Sequence, residues 1–291
     1  MVIATMSSPA APASRVWFIT GCSGDFGRAL ASAALSRGDR VVAATRRPEE
    51  LTDLVASHPE TCRAVALDVT QPSGAAAAIA AARQAFGGID VLVHNAGGAV
   101  LGALEELDDA EVARNLALNF TGPLRLTRAV LPLMRAQRRG HIVAISAGAA
   151  LGNYAGFSAY GAAKLALEGA MESLAQETRP FGIAVTLVQP GPFRTGFLGR
   201  STARAAARID AYDATSGKFL KYLESISGKQ PGDPAGAARA ILAAVDAERP
   251  PLRLVLGKYA VDKARRRLTT AGRELDAWAE VGAAADFATG S

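Results

Sequence analysis

The sequence predicts an α/β fold, a doubly wound parallel sheet forming one domain over residues 15–291, and three observations carry that reading. Short apolar, β-rich runs alternate with longer Ala/Leu-rich stretches from Arg15 onward, the rhythm of repeated strand–helix–strand units. The strand runs are apolar on both faces, as buried parallel strands must be when helices cover both sides of a sheet. Glycines fall where the helical stretches should stop, the left-handed position that glycine fills at least cost.

Taken in order, strands are expected near 15–20, 40–44, 63–67, 89–93, 140–145, 183–188 and 252–256. Helices are expected near 25–37, 48–57, 73–86, 108–138, 157–179, 234–247 and 258–279, with Gly38, Gly87 with Gly88, Gly140 and Gly182 as their stops. Residues 1–14 form an Ala/Pro/Ser leader, predicted to be disordered, that lacks the basic-then-apolar order of a secretory signal. Residues 192–232 offer no strand candidate but carry Phe193, Phe197, Leu198, Tyr212, Phe219, Leu220 and Tyr222, so they read as a helical flap over a site. In such a sheet the site lies beyond the carboxyl ends of the strands.

Composition narrows the chemistry. With 291 residues and 49% hydrophobic content the chain can bury a real core, which excludes a disordered or collagen-like protein. Cys22 and Cys62 stand alone, and His58, His94 and His141 lie far apart, so neither a disulfide framework nor a local metal-ligand spacing is present. The net charge of +5 gathers in Lys258, Lys263, Arg265, Arg266, Arg267 and Arg273, which read as a solvated face of one C-terminal helix rather than a nucleic-acid site. No apolar run is long enough to span a membrane, and a cytoplasmic protein is the default expectation.

The first strand runs into Thr20-Gly21-Cys22-Ser23-Gly24-Asp25-Phe26-Gly27 and then a helix. Glycines at such a turn let backbone N–H groups and the positive helix end approach a pyrophosphate. About 20 residues on, where an NAD site would carry an acid, the second strand ends in Arg46 and Arg47, whose guanidinium forks suit a 2′-phosphate and favour NADP(H) over NAD. Tyr160 and Lys164, four residues apart, share one helix face, so the ammonium can stabilise a tyrosinate and bring the phenol within reach of proton transfer.

The ordered set of motifs resembles the classical short-chain dehydrogenases/reductases, strongly over about 15–200 and loosely beyond. It comprises the glycine turn, Asp68-Val69, His94-Asn95-Ala96-Gly97, Asn119, Tyr160-Gly161-Ala162-Ala163-Lys164 and Pro190-Gly191-Pro192-Phe193-Arg194-Thr195. The resemblance implies a Rossmann-type fold in which Gly21, Ser23, Gly24, Phe26 and Gly27 hold the cofactor and Asp68 and Val69 border the adenine. It further implies that Asn95, Ala96 and Gly97 line the cleft and that Pro190, Gly191, Phe193 and Thr195 border the nicotinamide end. By the same resemblance Tyr160 is the acid/base, Lys164 its partner, and Asn119 shapes the long helix and holds a relay water. A homodimer or homotetramer packed through helices 108–138 and 157–179 is the implied assembly.

Three positions depart from the pattern. Asp25 stands where the turn has its middle glycine, either as a helix N-cap or as a carboxylate beside the pyrophosphate, where 4 Å from one phosphate charge would cost about 4 kcal/mol. Ala147 stands where a serine orients the substrate oxygen; Ser146, one place earlier, is the replacement candidate, with Ser158 and Asn153 nearby. His94 replaces a common asparagine, and is read as structural. The expected function is NADP-dependent reduction of a ketone, or oxidation of a secondary alcohol, on a sizeable and partly apolar substrate. The alternatives left open are a non-redox isomerase, cyclase or lyase using Tyr160 and Lys164 for proton transfer, and a cofactor-binding protein without catalysis.

Overall fold

The protein, described here as a computed structural model over residues 14–287, places seven strands in one parallel sheet. They are β1 (Val16–Thr20), β2 (Arg40–Thr45), β3 (Cys62–Ala66), β4 (Val91–His94), β6 (Gly140–Ile145), β7 (Ile183–Pro190) and β9 (Arg253–Leu256), in the spatial order β3-β2-β1-β4-β6-β7-β9. A separate parallel pair joins β5 (Ala99–Leu101) to β8 (Thr202–Arg204). The helices are α1 (Asp25–Ser36), α2 (Thr52–Ser57), α3 (Gly74–Phe86), α4 (Asp109–Leu116), α5 (Gly122–Gln137), α6 (Ser158–Thr178), α7 (Phe197–Arg200), α8 (Lys218–Ile226), α9 (Pro234–Asp246) and α10 (Lys258–Ala283). The leader falls almost wholly outside the described residues.

The period-2 alternation of side chains sorts each strand between two layers. Trp17 and Ile19 of β1 pack toward Leu30 and Leu35 of α1 and Ile241 of α9. Phe18 between them packs on the opposite face with Leu126 and Met134 of α5 and Leu167 of α6. Chain order reverses between β1 and β4, which places the carboxyl ends of these strands around one crevice.

The departures from expectation have local causes. The edge strands β3 and β9 leave Arg63 and Arg253 exposed, because only interior strands are covered on both sides. The segment expected to lack strands contains β8, three polar or small residues whose signal is too short for any periodicity; it is held by Ala99 N–H donating to Ser201 O at 2.9 Å and Ala205 N–H to Leu101 O at 2.8 Å. Gly38, Gly87 and Gly182 are left-handed as expected, whereas Gly140 is not, and Arg138 takes that conformation at φ 51°. Gly140 serves close packing instead, since a Cβ there would fall 2.6 Å from Met134 Sδ. The stretch expected as one helix over 108–138 is divided by a π turn, Ala117–Thr121, between α4 and α5.

Candidate active site

The glycine turn is shaped by backbone approach. Gly21 has φ +71°, and a Cβ there would lie 2.9 Å from Ala96 Cα; at Gly27 it would lie 2.5 Å from Asn95 Nδ2 and 2.6 Å from Gly21 O. Asn95 binds the turn from β4, donating through Nδ2 to Thr20 O at 2.8 Å and Gly21 O at 3.1 Å, while Thr20 Oγ1 accepts from the N–H groups of Asn95 and Ala96, each at 3.0 Å. Gly24 is the α1 N-cap, and no side chain caps that helix end. A Cβ on Gly24 would meet only Gly21 O at 3.4 Å, so this side of the turn is open. An uncapped helix start beside an open glycine has the donors and the room that a pyrophosphate needs.

Asp25 does not cap the helix. It is the first helical residue, and its carboxylate accepts from Gly196 N–H at 2.6 Å and pairs with Arg200 at 2.8 Å. The Gly196 bond first and Arg200 second hold its pKa below the usual carboxylate value. Phe26 beside it meets Phe193 edge-on at 5.6 Å. The turn after β1 and the segment after β7 are thereby joined.

At the end of β2, Thr45 Oγ1 donates to Ser23 Oγ at 3.1 Å, which fixes the glycine turn against the loop carrying Arg46 and Arg47. Both arginines are exposed, and Arg47 pairs with Glu50 at 2.5 Å. Asp68 closes a turn by accepting from Thr70 N–H and Oγ1 at 2.9 and 2.7 Å, and Val69 is buried beside it.

The π turn places Asn119 at full burial, with Nδ2 donating to Gly98 O at 2.8 Å and to Asn115 O at 3.0 Å. Such turns commonly mark functional positions in helices. Gly97 is where three groups converge: a Cβ there would fall 3.1 Å from Asn119 Oδ1, 3.4 Å from Lys164 Nζ and 3.8 Å from Asn95 O. Lys164 Nζ donates to Ile145 O at 2.8 Å and lies 5.8 Å from the centroid of the Tyr160 ring. Burial lowers the Lys164 pKa to about 8, partly opposed by Glu168. Burial also pushes the Tyr160 phenol up, so in the protein alone desolvation outweighs the help expected from the ammonium.

Ser146 is not the replacement for the missing serine. Its hydroxyl is buried and donates to Glu168 Oε1 at 2.5 Å, while Gln189 Nε2 donates to both oxygens of the same carboxylate at 2.9 Å. The neighbouring Ala147 packs with Tyr160, Phe157, Ala99 and Leu101, as strand alternation requires. Ser158 Oγ is buried without a hydrogen-bond partner among the described residues. His94 is buried, 2.7 Å from Thr127 Oγ1 through Nε2, and burial lowers its pKa to about 3, so it stays neutral.

Facing Tyr160 is a wall of aromatic rings. Phe157 meets Tyr160 at 5.3 Å and Phe197 of α7 lies at 5.8 Å from it; Tyr154 stacks on Phe219 of α8 at 4.8 Å. Tyr154 is held from behind by Tyr259 Oη at 2.9 Å and by Lys263 Nζ, 3.6 Å over its ring. Pro190 ends β7, Gly191 approaches Ala260, where a Cβ would lie 3.3 Å from the alanine Cβ, and Thr195 accepts from Phe197 N–H at 3.4 Å.

Asn115, Glu168, Gln189 and the role of Asp25 escape the sequence reading. For two of them a signal existed: Asn115 precedes Asn119 by one helical turn, and Glu168 follows Lys164 by one, on the face that carries Tyr160.

The family model described as short chain dehydrogenase matches residues 15–206. The chain belongs to that family. Among curated relatives, "Oxidoreductase BOA17" of Botryotinia fuckeliana is 37% identical over 92% of this chain and 97% of its own length. A 3-ketodihydrosphingosine reductase of Bacteroides thetaiotaomicron is 36% identical over 84% of this chain and 88% of its own. A solved short-chain dehydrogenase from Streptomyces avermitilis superposes with a TM-score of 0.89 at 43% identity, covering 94% of this chain and all of that one. The protein is thus an oxidoreductase of the short-chain dehydrogenase family, and no helix among the described residues is long and apolar enough to cross a membrane.

Proposed function

We propose that this chain reduces a ketone, or oxidises the corresponding secondary alcohol, with NADP(H), using Tyr160 as the acid/base. The observation that carries the reading is the convergence of Asn119, Lys164 and the Asn95-Ala96-Gly97 turn behind Tyr160, beside an uncapped glycine turn. Gly21, Ser23, Gly24, Phe26 and Gly27 would hold the pyrophosphate, Asp68 and Val69 the adenine, and Pro190, Gly191, Phe193 and Thr195 the nicotinamide end. Arg46 and Arg47, exposed at the end of β2, support the 2′-phosphate form.

When bound in this cleft, a dihydronicotinamide would supply the hydride for the carbonyl carbon. Tyr160 Oη gives its proton to the carbonyl oxygen, and a phenol kept protonated by burial suits that direction. Lys164 then stabilises the tyrosinate left behind. The aromatic wall excludes water and favours a sizeable, partly apolar substrate, and the keto group in the name of the Bacteroides relative supports a ketone.

Ala147 beside Tyr160 favours a second reading, non-redox proton transfer by Tyr160 and Lys164, because it leaves that side of the site without the expected hydroxyl. Fluorescence titration with NADPH and NADH separates the two, followed by a panel of bulky ketones. NADPH binding at lower concentration than NADH, with oxidation by a ketone, is the expected result. Binding of neither refutes the reductase reading, and NADPH binding without turnover transfers support to the second.

A further inference from the structure

Asp25 stands where the family's turn has its middle glycine, and its carboxylate reaches across to the segment after β7. One oxygen, Oδ2, accepts from both Gly196 N–H, at 2.6 Å, and Arg200, at 2.8 Å. These two residues bracket α7, Gly196 as its N-cap and Arg200 as its last residue. A Cβ on Gly196 would fall 2.5 Å from Arg200 Nε, so the arginine lies folded back over a glycine that leaves room for it. Between them Phe197 carries the ring that lies 5.8 Å from that of Tyr160. One side chain of the glycine turn thus holds both ends of the short helix that bears part of the aromatic wall.

Asp25 also borders the place where a pyrophosphate fits. It follows Gly24 directly, and the N–H groups of Asp25, Phe26 and Gly27 precede the first bond of α1, from Arg28 N–H to Gly24 O at 2.8 Å. Donors at a helix start attract an anion, and a bare carboxylate beside them repels one. The Gly196 bond and Arg200 hold the Asp25 pKa below the usual carboxylate value, so the carboxylate is ionised at neutral pH. Of the other arginines near the turn, Arg28 pairs with Asp53 at 2.6 Å and Arg47 with Glu50 at 2.5 Å. Among the described residues the cation paired with Asp25 is Arg200.

We propose that Arg200, although it lies in the segment after β7, is a determinant of dinucleotide affinity: by neutralising Asp25 it lets a carboxylate stand in the glycine turn, and it does so only while α7 is docked there. This rests on the cofactor site read above, but not on the substrate or on the choice between NADPH and NADH, whose pyrophosphates are the same. Linkage makes the effect mutual, so a bound dinucleotide in turn favours the docked α7 and with it the position of Phe197 against Tyr160.

The test is a cycle of wild type, Asp25→Asn, Arg200→Ala and the double variant, titrated by fluorescence with NADPH and with NADH at low salt once thermal melting has shown that each chain folds. Arg200→Ala is expected to weaken both dinucleotides by about tenfold, because it uncovers a like charge beside the phosphates. Asp25→Asn keeps an oxygen for Gly196 N–H and is expected to bind at least as tightly as wild type; in its background Arg200→Ala should lose less than about twofold. Arg200→Lys, which keeps the charge, should retain most of the affinity. In hydrogen exchange, NADPH is expected to slow the amides of residues 196–201 in wild type and to slow them much less in the double variant.

Wild-type affinity for both dinucleotides in Arg200→Ala overturns the proposal. So does an equal loss with Asp25 present or replaced, which makes Arg200 a direct phosphate ligand, and so does exchange at residues 196–201 that NADPH leaves unchanged in wild type. Wild type that binds neither dinucleotide overturns it together with the cofactor site on which it rests, whereas the other three results leave that site standing.

Discussion

The glycine turn after β1 and the aromatic wall around Tyr160 border the same crevice, yet they are built from different material. The turn is backbone against backbone, with Gly21 and Gly27 so close to Ala96, Asn95 and each other that no Cβ fits. The wall is side chain against side chain, with rings contributed by the loop before α6, by α6 itself, by α7 and by α8. A backbone-made surface tolerates almost no substitution but places its N–H groups rigidly. A surface made of rings can be altered piece by piece, so it is where one fold can change what it accepts.

Experiments can sharpen that contrast. The largest effect is expected where the two surfaces meet: Tyr160→Phe should lower turnover by on the order of a thousandfold while the NADPH titration stays nearly unchanged. Retained turnover would remove the assigned role. Next comes the turn, where Gly27→Ala should cost about 1–3 kcal/mol in chemical denaturation, because its Cβ meets backbone and the hydrogen-bonded Asn95 amide. Gly24→Ala, with open space beside it, should leave the melting temperature within a few degrees and act on cofactor affinity instead.

The wall should respond more mildly. Phe197→Ala is expected to raise KM for a bulky ketone about tenfold with little change in stability, since Phe197 is only partly buried. Asp25→Asn removes the charge that pairs with Arg200, and with that arginine's side chain 63% exposed the effect on stability should stay under about 1 kcal/mol. Because the native pKa of Asp25 is depressed, its contribution is present above the unfolded carboxylate value and is lost as pH falls through the lower native value; Asp25→Asn should flatten that acid limb.

The smallest and most specific effect concerns pH. Lys164 titrates near 8 by burial, so turnover should fall above about pH 8, whereas His94, with a pKa near 3, should contribute no limb between pH 5 and 7. His94→Asn should therefore leave the activity profile unchanged. It should improve stability below pH 6.5 by on the order of 1 kcal/mol per pH unit, since the neutral buried ring resists a proton that the unfolded chain accepts.

The same contrast explains what was legible beforehand. The five interior strands of the main sheet are legible because runs apolar on both faces are a strong signal, the edge strands β3 and β9 by their place in the strand–helix rhythm, and the glycine turn because its residues are demanded by backbone geometry. Arg138 in place of Gly140 was not legible, since a left-handed arginine is a tertiary outcome. Nor was β8, whose three residues pair only because Gly98 and Ser201 are brought together. Asp25 was the most visible anomaly, but its partners Gly196 and Arg200 lie more than 170 residues away, and no local rule connects them. Ser146 is conspicuous in the sequence because its hydroxyl lies one place from the expected position; its bond to Glu168 depends on which side of β6 that helix residue approaches.

The π turn at Ala117–Thr121 carries a last consequence, for the effect of changing chain length. A π turn holds one residue more than regular α geometry needs, and α4 and α5 run on either side of it. Deleting one residue there should let the two helices fuse into an uninterrupted rod while Leu126, Val130 and Met134 keep their places in the core. What the shorter chain would lose is the swing of Asn119 toward Gly98, so a single deletion could yield a protein that melts like the parent and has forfeited its alignment behind Lys164.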